Sequence, residues 1–115
     1  MSEILGSNVT IMVSNMDAAI QFYSDVLGFT LRNRYGDHWA DIDAPGMQIG
    51  LHPAAKDVVT GSNLSIGLRV SDLGATMQTL EQRGVQFNVQ DDGEVKLAHF
   101  SDPDGNTLYL AQPQW

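Results

Sequence analysis

The amino-acid sequence predicts an α+β fold made of two tandem βαβββ modules. The first observation is an order of elements that occurs twice: a strand, a polar helix cap, an amphipathic helix and a terminating glycine. The second is that the copies align at a constant offset, 57 residues from Asn8 to Ser65 and again from Val13 to Val70. Two copies of one supersecondary unit predict a pseudo-twofold architecture, and 115 residues are enough for one compact domain with its own core.

The first module is expected over about residues 8–53. Alternating apolar and polar residues predict its first strand, and Ser14 or Asn15 is suited to cap the helix that follows. Apolar residues at helical spacing predict that this helix continues to Leu27, and Gly28 ends it. Turn-forming residues then separate three further strands. The predicted strands of this module lie at residues 8–13, 29–35, 39–42 and 47–52.

The second module is expected over about residues 64–112, after a linker at residues 54–63. Ser71-Asp72 is suited to cap its helix, and Gly84 ends that helix. In the closing turn we interpret Asp102 and Asp104 as turn formers and not as acid–base residues, because Asp side chains bond nearby backbone amides. The predicted strands of this module lie at residues 65–70, 85–89, 95–100 and 107–110.

Composition narrows the possible partners and the location of the protein. The net charge is −8, from 14 acidic and 6 basic residues, and such a surface repels a phosphate backbone, so we expect no nucleic-acid partner. The absence of cysteine excludes disulfides and thiolate metal ligands. We find no apolar run long enough to span a membrane and no signal-peptide pattern. We therefore expect a cytoplasmic protein without a membrane partner.

Three stretches together resemble one superfamily. They are VSNMDAAIQFYSDVLGF at residues 13–29, VSDLGATMQTLEQRGV at residues 70–85 and FSDPDGNTLYL at residues 100–110. This combination resembles the vicinal oxygen chelate superfamily of glyoxalase I, bleomycin-resistance proteins and extradiol dioxygenases. The resemblance implies that each module curls its mixed sheet around a cavity, with the helices outside. It also implies a homodimer, and leaves open whether modules pair within one chain or between two.

Strand alternation assigns a face to each residue of the predicted cavity. Ten apolar residues are expected to back onto the helices: Val9, Ile11, Val13, Ile49, Leu51, Ile66, Leu68, Val70, Leu108 and Leu110. Eleven residues are expected to face the cavity and to form a ligand-binding site: Asn8, Thr10, Met12, Gln48, Gly50, His52, Ser65, Gly67, Arg69, Thr107 and Tyr109.

The resemblance also implies where a divalent metal ion would bind. Metal-dependent members use His, Glu or Gln side chains at four strand positions, which map here onto Asn8, Gly50, Ser65 and Tyr109. Neither an imidazole nor a carboxylate occupies any of them, so we expect no metal at these positions and no metal-dependent glyoxalase or ring-cleaving chemistry. A displaced metal site that uses His52, His99 and a carboxylate stays open.

We therefore expect a metal-free small-molecule binding protein of the sequestering kind. Arg69 would pair with a ligand carboxylate or phosphate, or else extend to solvent at the rim. Tyr109 would donate a hydrogen bond to the ligand or stack on it, or else pack inside the cavity. Trp39 and Trp115 could flank an aromatic ligand, although core and interface roles are the more common ones.

The alternative is an enzyme of the same superfamily, a lyase, isomerase or dioxygenase with a displaced metal or none. His52 is then the one candidate general base, without an identifiable orienting partner. Alternation leaves the faces of His99 and His38 undecided, with a surface position as the default for His38. A third hypothesis is a structural or regulatory dimer whose cavity is filled by side chains such as Met12 and Tyr109.

Overall fold

The structure is a computed structural model, and it describes residues 5–54, 64–91, 93 and 95–112. The chain divides into two compact units, Met1–Val59 and Thr60–Trp115. The predicted linker at residues 54–63 and Trp115 lie outside the described residues, except for Ala54. Within the described part of the chain, no helix has the length and apolar character needed to cross a membrane.

The first unit is a four-stranded mixed sheet with one helical segment. Its sheet order is β1-β4-β3-β2, with β1 parallel to β4 and the other neighbours antiparallel. The hairpin between β3 and β4 sets the register that places Ala40 opposite Leu51 and Asp41 opposite Gly50. The elements are β1 Val9–Val13, α1 Met16–Ile20, a π-helical segment Gln21–Val26, β2 Thr30–Tyr35, β3 Trp39–Ala44 and β4 Met47–Pro53.

The second unit repeats this topology. Its sheet order is β5-β8-β7-β6, again with the first strand parallel to the last one along the chain. The prediction of two βαβββ modules is thereby confirmed. The elements are β5 Ile66–Arg69, α2 Leu73–Gln82, β6 Asn88–Asp91, β7 Lys96–Ser101 and β8 Thr107–Ala111.

The helix of the first unit differs from the regular helix that the sequence predicts. After α1 the hydrogen bonds widen, so that the Leu27 amide donates to the Phe22 carbonyl at 3.0 Å. The Ser24 hydroxyl donates to the Ile20 carbonyl at 2.6 Å and occupies an acceptor that a regular helix gives to an amide. Gly28, with φ of +79°, ends the segment as predicted, since glycine adopts this conformation without a Cβ clash.

The helix of the second unit is terminated by Gly84 as the sequence predicts, but the strand after it begins later. The Val85 amide donates to the Leu80 carbonyl at 3.0 Å, and Gly84 has φ of +95°. Because Val85 closes the helix end, the strand predicted at residues 85–89 begins only at Asn88.

Each sheet has one buried face and one face of polar and exposed residues, which we call the open face. In the first unit α1 packs against β4. The buried residues of β1 alternate with exposed ones and those of β3 with half-buried ones, whereas β4 buries Ile49, Gly50 and Leu51 in succession. Val9, Leu68 and Val70 were expected to be buried as well and are half-buried. The sheet residues of the buried faces are Ile11, Val13, Ala40, Ile42, Ile49, Leu51, Ile66, Ala98, Phe100, Leu108 and Leu110.

The closing turn of the second unit is organised by a buried carboxylate. Asp102 is only 5% exposed, and its Oδ1 accepts hydrogen bonds from the amides of Asp104 at 2.9 Å and Asn106 at 2.8 Å. Its Oδ2 accepts a bond from the Asn106 side-chain amide at 2.8 Å. The interpretation of Asp102 as a turn former is confirmed, because these bonds satisfy the polar groups of the turn itself.

Candidate functional site

The open face of the first unit carries the six binding residues that the sequence predicts for this module. Across the parallel pair β1–β4, Thr10 lies beside Gly50 and Met12 beside His52. All of them except Gly50 are exposed. The six residues are Asn8, Thr10, Met12, Gln48, Gly50 and His52.

The open face of the second unit carries the remaining five. Gly67 pairs with Tyr109 and Arg69 with Ala111 across the parallel strands β5 and β8. Ser65, which precedes β5, is exposed, as are Gly67 and Arg69, whereas Thr107 and Tyr109 are half-buried. Each unit therefore gathers its own share of the predicted site residues on one surface.

Gly50 is buried although it lies on the open face, because the Trp39 indole covers it. An ideal Cβ built on Gly50 would overlap the Cη2 and Cζ2 atoms of Trp39 and would lie 3.2 Å from Nδ2 of Asn8. The indole Nε1 donates to Oδ1 of Asp41 at 2.6 Å, and the ring lies 6.2 Å from the His52 ring at 70°. Glycine is thus required at position 50 for the close approach of the ring.

The second unit contains a similar arrangement. A Cβ built on Gly67 would overlap the hydroxyl and Cζ of Tyr109, so the phenol ring lies across this glycine. His99 pairs with Tyr109 across the antiparallel strands, and their ring centroids are 5.7 Å apart. Residues that face each other across a ladder share one face of the sheet, so His99 lies on the open face, which alternation alone left undecided.

The two other histidines have different surroundings. His52 Nδ1 lies 2.8 Å from the Pro53 carbonyl oxygen, and since that oxygen only accepts, Nδ1 carries the proton and Nε2 is left as an acceptor. His38 is exposed in the turn between β2 and β3. Among the residues that the structure describes, no three His, Asp or Glu side chains are grouped so as to hold a metal ion.

The arginines divide into paired and available side chains. Arg34 donates to Asp17 at 2.7 Å and to Asp37 at 2.8 Å, and these hydrogen bonds, that of Asp17 first, raise its pKa above the usual value of an arginine. Arg32 lies 3.5 Å from the Asp43 carboxylate. By contrast, Arg69 is exposed on the open face, and no carboxylate of the described ranges lies within ion-pair distance of it. Its guanidinium is therefore available to an anion.

A cleft of about 720 Å³ opens at the edge of the first sheet where β1 begins and β3 ends. It is bordered by two predicted site residues, Asn8 and Gln48, together with Asp43. Oδ1 of Asp43 is shielded from solvent, lies 3.5 Å from Nε of Arg32 and has no hydrogen-bond partner in the described part of the chain. Because this oxygen is shielded, the polar groups that a ligand in the cleft would meet are the exposed side chains of Asn8 and Gln48.

The residues at the four positions that the superfamily resemblance assigns to a metal do not fit a divalent ion. They hold the Asn8 amide, the Ser65 hydroxyl, the Tyr109 phenol and, at Gly50, no side chain. Divalent ions are bound by carboxylates, imidazoles or thiolates, which offset the loss of their hydration. In addition, the space next to Gly50 is taken by the Trp39 indole. This set of donors therefore supplies no metal chemistry.

Three residues of the open faces are missing from the binding site that the sequence predicts: Trp39, Asp41 and His99. The sequence favours a core or interface role for Trp39; the ring is half-buried and lies across the open face beside His52, and the interface role stays a prediction. The register of the β3–β4 hairpin was the signal that could have found it. The Pro45-Gly46 turn pairs Ala44 with Met47, and counting back from that pair brings Trp39 level with His52.

Comparison with known proteins agrees with this geometry. A curated relative is the glutathione transferase FosA of Serratia marcescens, 27% identical over 90% of this chain and 77% of that protein. Among solved structures, the antibiotic-binding protein TnmS3 of Streptomyces sp. CB03234 is 28% identical with a TM-score of 0.71, covering 97% of this chain and 100% of that one.

A glyoxalase/bleomycin resistance protein/dioxygenase from Alicyclobacillus acidocaldarius has the same fold. It is 23% identical with a TM-score of 0.77, and the match covers 95% of this chain and 91% of the other. The family model described as Glyoxalase/Bleomycin resistance protein/Dioxygenase superfamily matches residues 7–110. With both βαβββ units inside that match, the chain belongs to the glyoxalase/bleomycin resistance/dioxygenase superfamily.

Proposed function

We propose that this protein binds a small organic molecule on an open face of its sheets and sequesters it without a resident divalent ion. The observation that carries the proposal is the replacement of all four metal-ligand positions by Asn8, Gly50, Ser65 and Tyr109. A sequestering protein needs a shaped surface and a few well-placed polar groups, whereas the metal-dependent reactions of the superfamily need the ion.

The comparisons support a binding role. TnmS3, at 28% identity over nearly the whole chain, is described as an antibiotic-binding protein, and bleomycin resistance is part of the family name. The chemistry of the open faces supports it as well, since amide, hydroxyl and aromatic groups alternate along neighbouring strands. Such mixed surfaces are typical of sites for drug-sized molecules.

Arg69 is the group that we assign to an acidic ligand function. Its guanidinium has no carboxylate partner in the described ranges and lies on the same face as Tyr109, for whose hydroxyl no hydrogen bond is found there either. Together they would recognise a carboxylate, sulfonate or phosphate by charge-assisted hydrogen bonds. The ligand class that follows is a small molecule with an aromatic part and one acidic group.

The experiment has a metal arm and a ligand arm. Dialysis against Ni²⁺, Zn²⁺, Mn²⁺ and Fe²⁺, followed by metal counting, is expected to leave well below one equivalent per chain. The ligand arm titrates 1-anilinonaphthalene-8-sulfonate, an aromatic sulfonate, and follows the fluorescence of the dye itself. Saturable binding that Arg69→Ala weakens would support the proposal. A tight equivalent of metal, or a linear titration without saturation, would overturn it.

An enzymatic role is the second candidate, and the identity of 27% with a glutathione transferase favours it. His52, with Nε2 free to accept a proton, would be the general base. Incubation with glutathione and an electrophile such as 1-chloro-2,4-dinitrobenzene tests this candidate. Turnover that His52→Ala abolishes while ligand affinity persists would establish the enzyme, and turnover equal to the buffer rate would exclude this reaction.

We also propose that the protein is a homodimer, as its superfamily resemblance implies, and that it is cytoplasmic, as the absence of cysteine suggests. Light scattering on the eluted protein is expected to give twice the mass of one chain. A mass equal to that of one chain would contradict this part of the proposal without affecting the binding assay.

A further inference from the structure

We infer that Trp39 is a specificity-determining residue that excludes a metal-ligating side chain from position 50, with Gly50 and Asp41 as its positioning residues. The observation is the overlap between the indole and any Cβ at Gly50. Every metal ligand that a protein supplies by a side chain has a Cβ. The loss of the metal ligand is therefore built into the packing of the open face and does not depend on residue 50 alone.

Three contacts hold the indole in place. Below it, the absence of a side chain at Gly50 lets the ring lie on the backbone of β4. At its edge, Nε1 donates to Oδ1 of Asp41 at 2.6 Å, a charge-assisted bond that fixes the orientation of the ring. Beside it, His52 lies edge-on at 6.2 Å. The indole is consequently a fixed part of the surface and not a side chain that yields easily to a new neighbour.

The second unit contains a related contact between an aromatic ring and a glycine. Tyr109 occupies a predicted metal-ligand position, and its ring lies across Gly67 with His99 beside it. The parallel pair Thr10–Gly50 in the first unit corresponds in topology to the pair Gly67–Tyr109 in the second. In both units an aromatic ring thus covers a glycine at the strand pair to which the superfamily assigns a ligand.

The test is a double-mutant cycle on thermal unfolding, which needs no ligand. Gly50→Glu introduces a carboxylate of the kind that a metal needs, and it is expected to lower the Tm by about 5–10 °C because of the overlap with Trp39. In a Trp39→Ala background the same substitution is expected to change the Tm by less than about 2 °C. Gln48→Glu is the matched control, since it adds the same charge to an exposed position of the same strand and face.

Fluorescence of Trp39 in the Trp115→Phe background tests the positioning residues. Gly50→Ala and Asp41→Ala are expected to shift its emission to longer wavelength and to increase quenching by acrylamide, while Asp41→Asn retains the acceptor and the parent spectrum. Gly74→Ala is the matched glycine control, because a Cβ there meets no atom closer than 3.8 Å.

The outcomes of these experiments test the role of Trp39 independently of the proposed ligand binding. A Gly50→Glu variant that unfolds while Trp39→Ala/Gly50→Glu folds supports it. Equal losses of Tm in the two backgrounds, unfolding of both variants, or an emission spectrum that Gly50→Ala leaves unchanged would overturn it. A failure of the sulfonate titration would contradict the proposed function alone, because the cycle reports only on packing.

Discussion

Asn15 and Asp72 perform the same task at the same place in the two units. Oδ1 of Asn15 accepts a hydrogen bond from the Ala18 amide at 2.9 Å, and Oδ1 of Asp72 accepts one from the Ala75 amide at 3.0 Å. The two caps are 57 residues apart, which is the same offset that aligns Asn8 with Ser65. The repeat that the sequence shows is therefore also a repeat of local hydrogen bonding.

The caps lead to the first prediction. Asn15→Ala and Asp72→Ala are each expected to cost about 1 kcal/mol of unfolding free energy, because an amide of the first helical turn loses its acceptor. Chemical denaturation monitored by circular dichroism measures the loss. The controls are Asn15→Asp and Asp72→Asn, which retain an acceptor and should remain close to the parent protein. A loss as large as that of the alanine variants would show that the cap bond is not the cause.

The turn around Asp102 provides a second prediction. Asp102→Ala is expected to lower the unfolding free energy by roughly 2–4 kcal/mol, since two amides and the Asn106 side chain lose a buried acceptor. Glu81→Ala removes an equal charge from the exposed surface of α2 and should change stability by less than about 0.5 kcal/mol. Similar losses for the two variants would mean that charge alone, and not the turn, is responsible.

The two faces of the first sheet can be distinguished by truncation. Leu51 is fully buried on β4, whereas Met12 is 48% exposed on β1. Leu51→Ala is expected to cost about 3 kcal/mol because it leaves a cavity, and Met12→Ala less than about 1 kcal/mol. Urea unfolding measures both. A larger loss at Met12 than at Leu51 would contradict the assignment of the buried and open faces.

The bonds of Arg34 predict a dependence on salt. Nη2 of Arg34 reaches Asp17 on α1 and Asp37 in the following turn, while Nε donates to the Gly36 carbonyl at 2.8 Å. Arg34→Lys should lower the Tm by a few degrees in dilute buffer, because one ammonium group does not reproduce this forked geometry. The difference should shrink at about 1 M NaCl, which screens exposed charges. A difference that salt leaves unchanged would assign the effect to packing.

The pKa of Arg34 has a direction that matters for pH dependence. It is raised in the folded protein by the hydrogen bonds to Asp17 and then Asp37. The stabilisation is therefore complete below the unfolded pKa of arginine and is lost only as the pH rises through the higher folded pKa. Titration of this arginine contributes no change of stability near neutral pH.

Arg69 is expected to determine affinity for an acidic ligand. Arg69→Ala should weaken binding of 1-anilinonaphthalene-8-sulfonate by roughly tenfold, the loss of one charge-assisted hydrogen bond. Lys96→Ala is the matched control. Lys96 has the same alternation along β7 as the buried Ala98, so it does not lie on the open face that carries Arg69. Equal weakening in the two variants would indicate an effect of net charge and would remove Arg69 from the site.

Much of the fold was accessible from the sequence because its signals are local. Alternation located β1, β4, β5 and β8, and the polar residues before each helix located the caps. The π-helical hydrogen bonds were not accessible, since they depend on how Ser24 competes for the Ile20 carbonyl. The late start of β6 has a similar origin, because Val85 is used to close the helix.

The candidate site shows more clearly which features cannot be predicted from the sequence. Alternation assigned Thr10 and Gly67 to their face, since this depends only on parity along a strand. It gave no sign that Trp39 leans diagonally across Gly50, because that contact depends on a side-chain rotamer and on the Asp41 acceptor. The composition of a face follows from the sequence, whereas the shape of its surface depends on such contacts.

The strand orders β1-β4-β3-β2 and β5-β8-β7-β6 have a consequence for biosynthesis. Within the residues that the structure describes, every strand pair of the first sheet lies between Val9 and Pro53, so these pairs can form before the second half of the chain is synthesised. Pairing over such short sequence separations favours rapid folding. The amino-terminal half is thus able to complete its sheet while the carboxy-terminal half is still being translated.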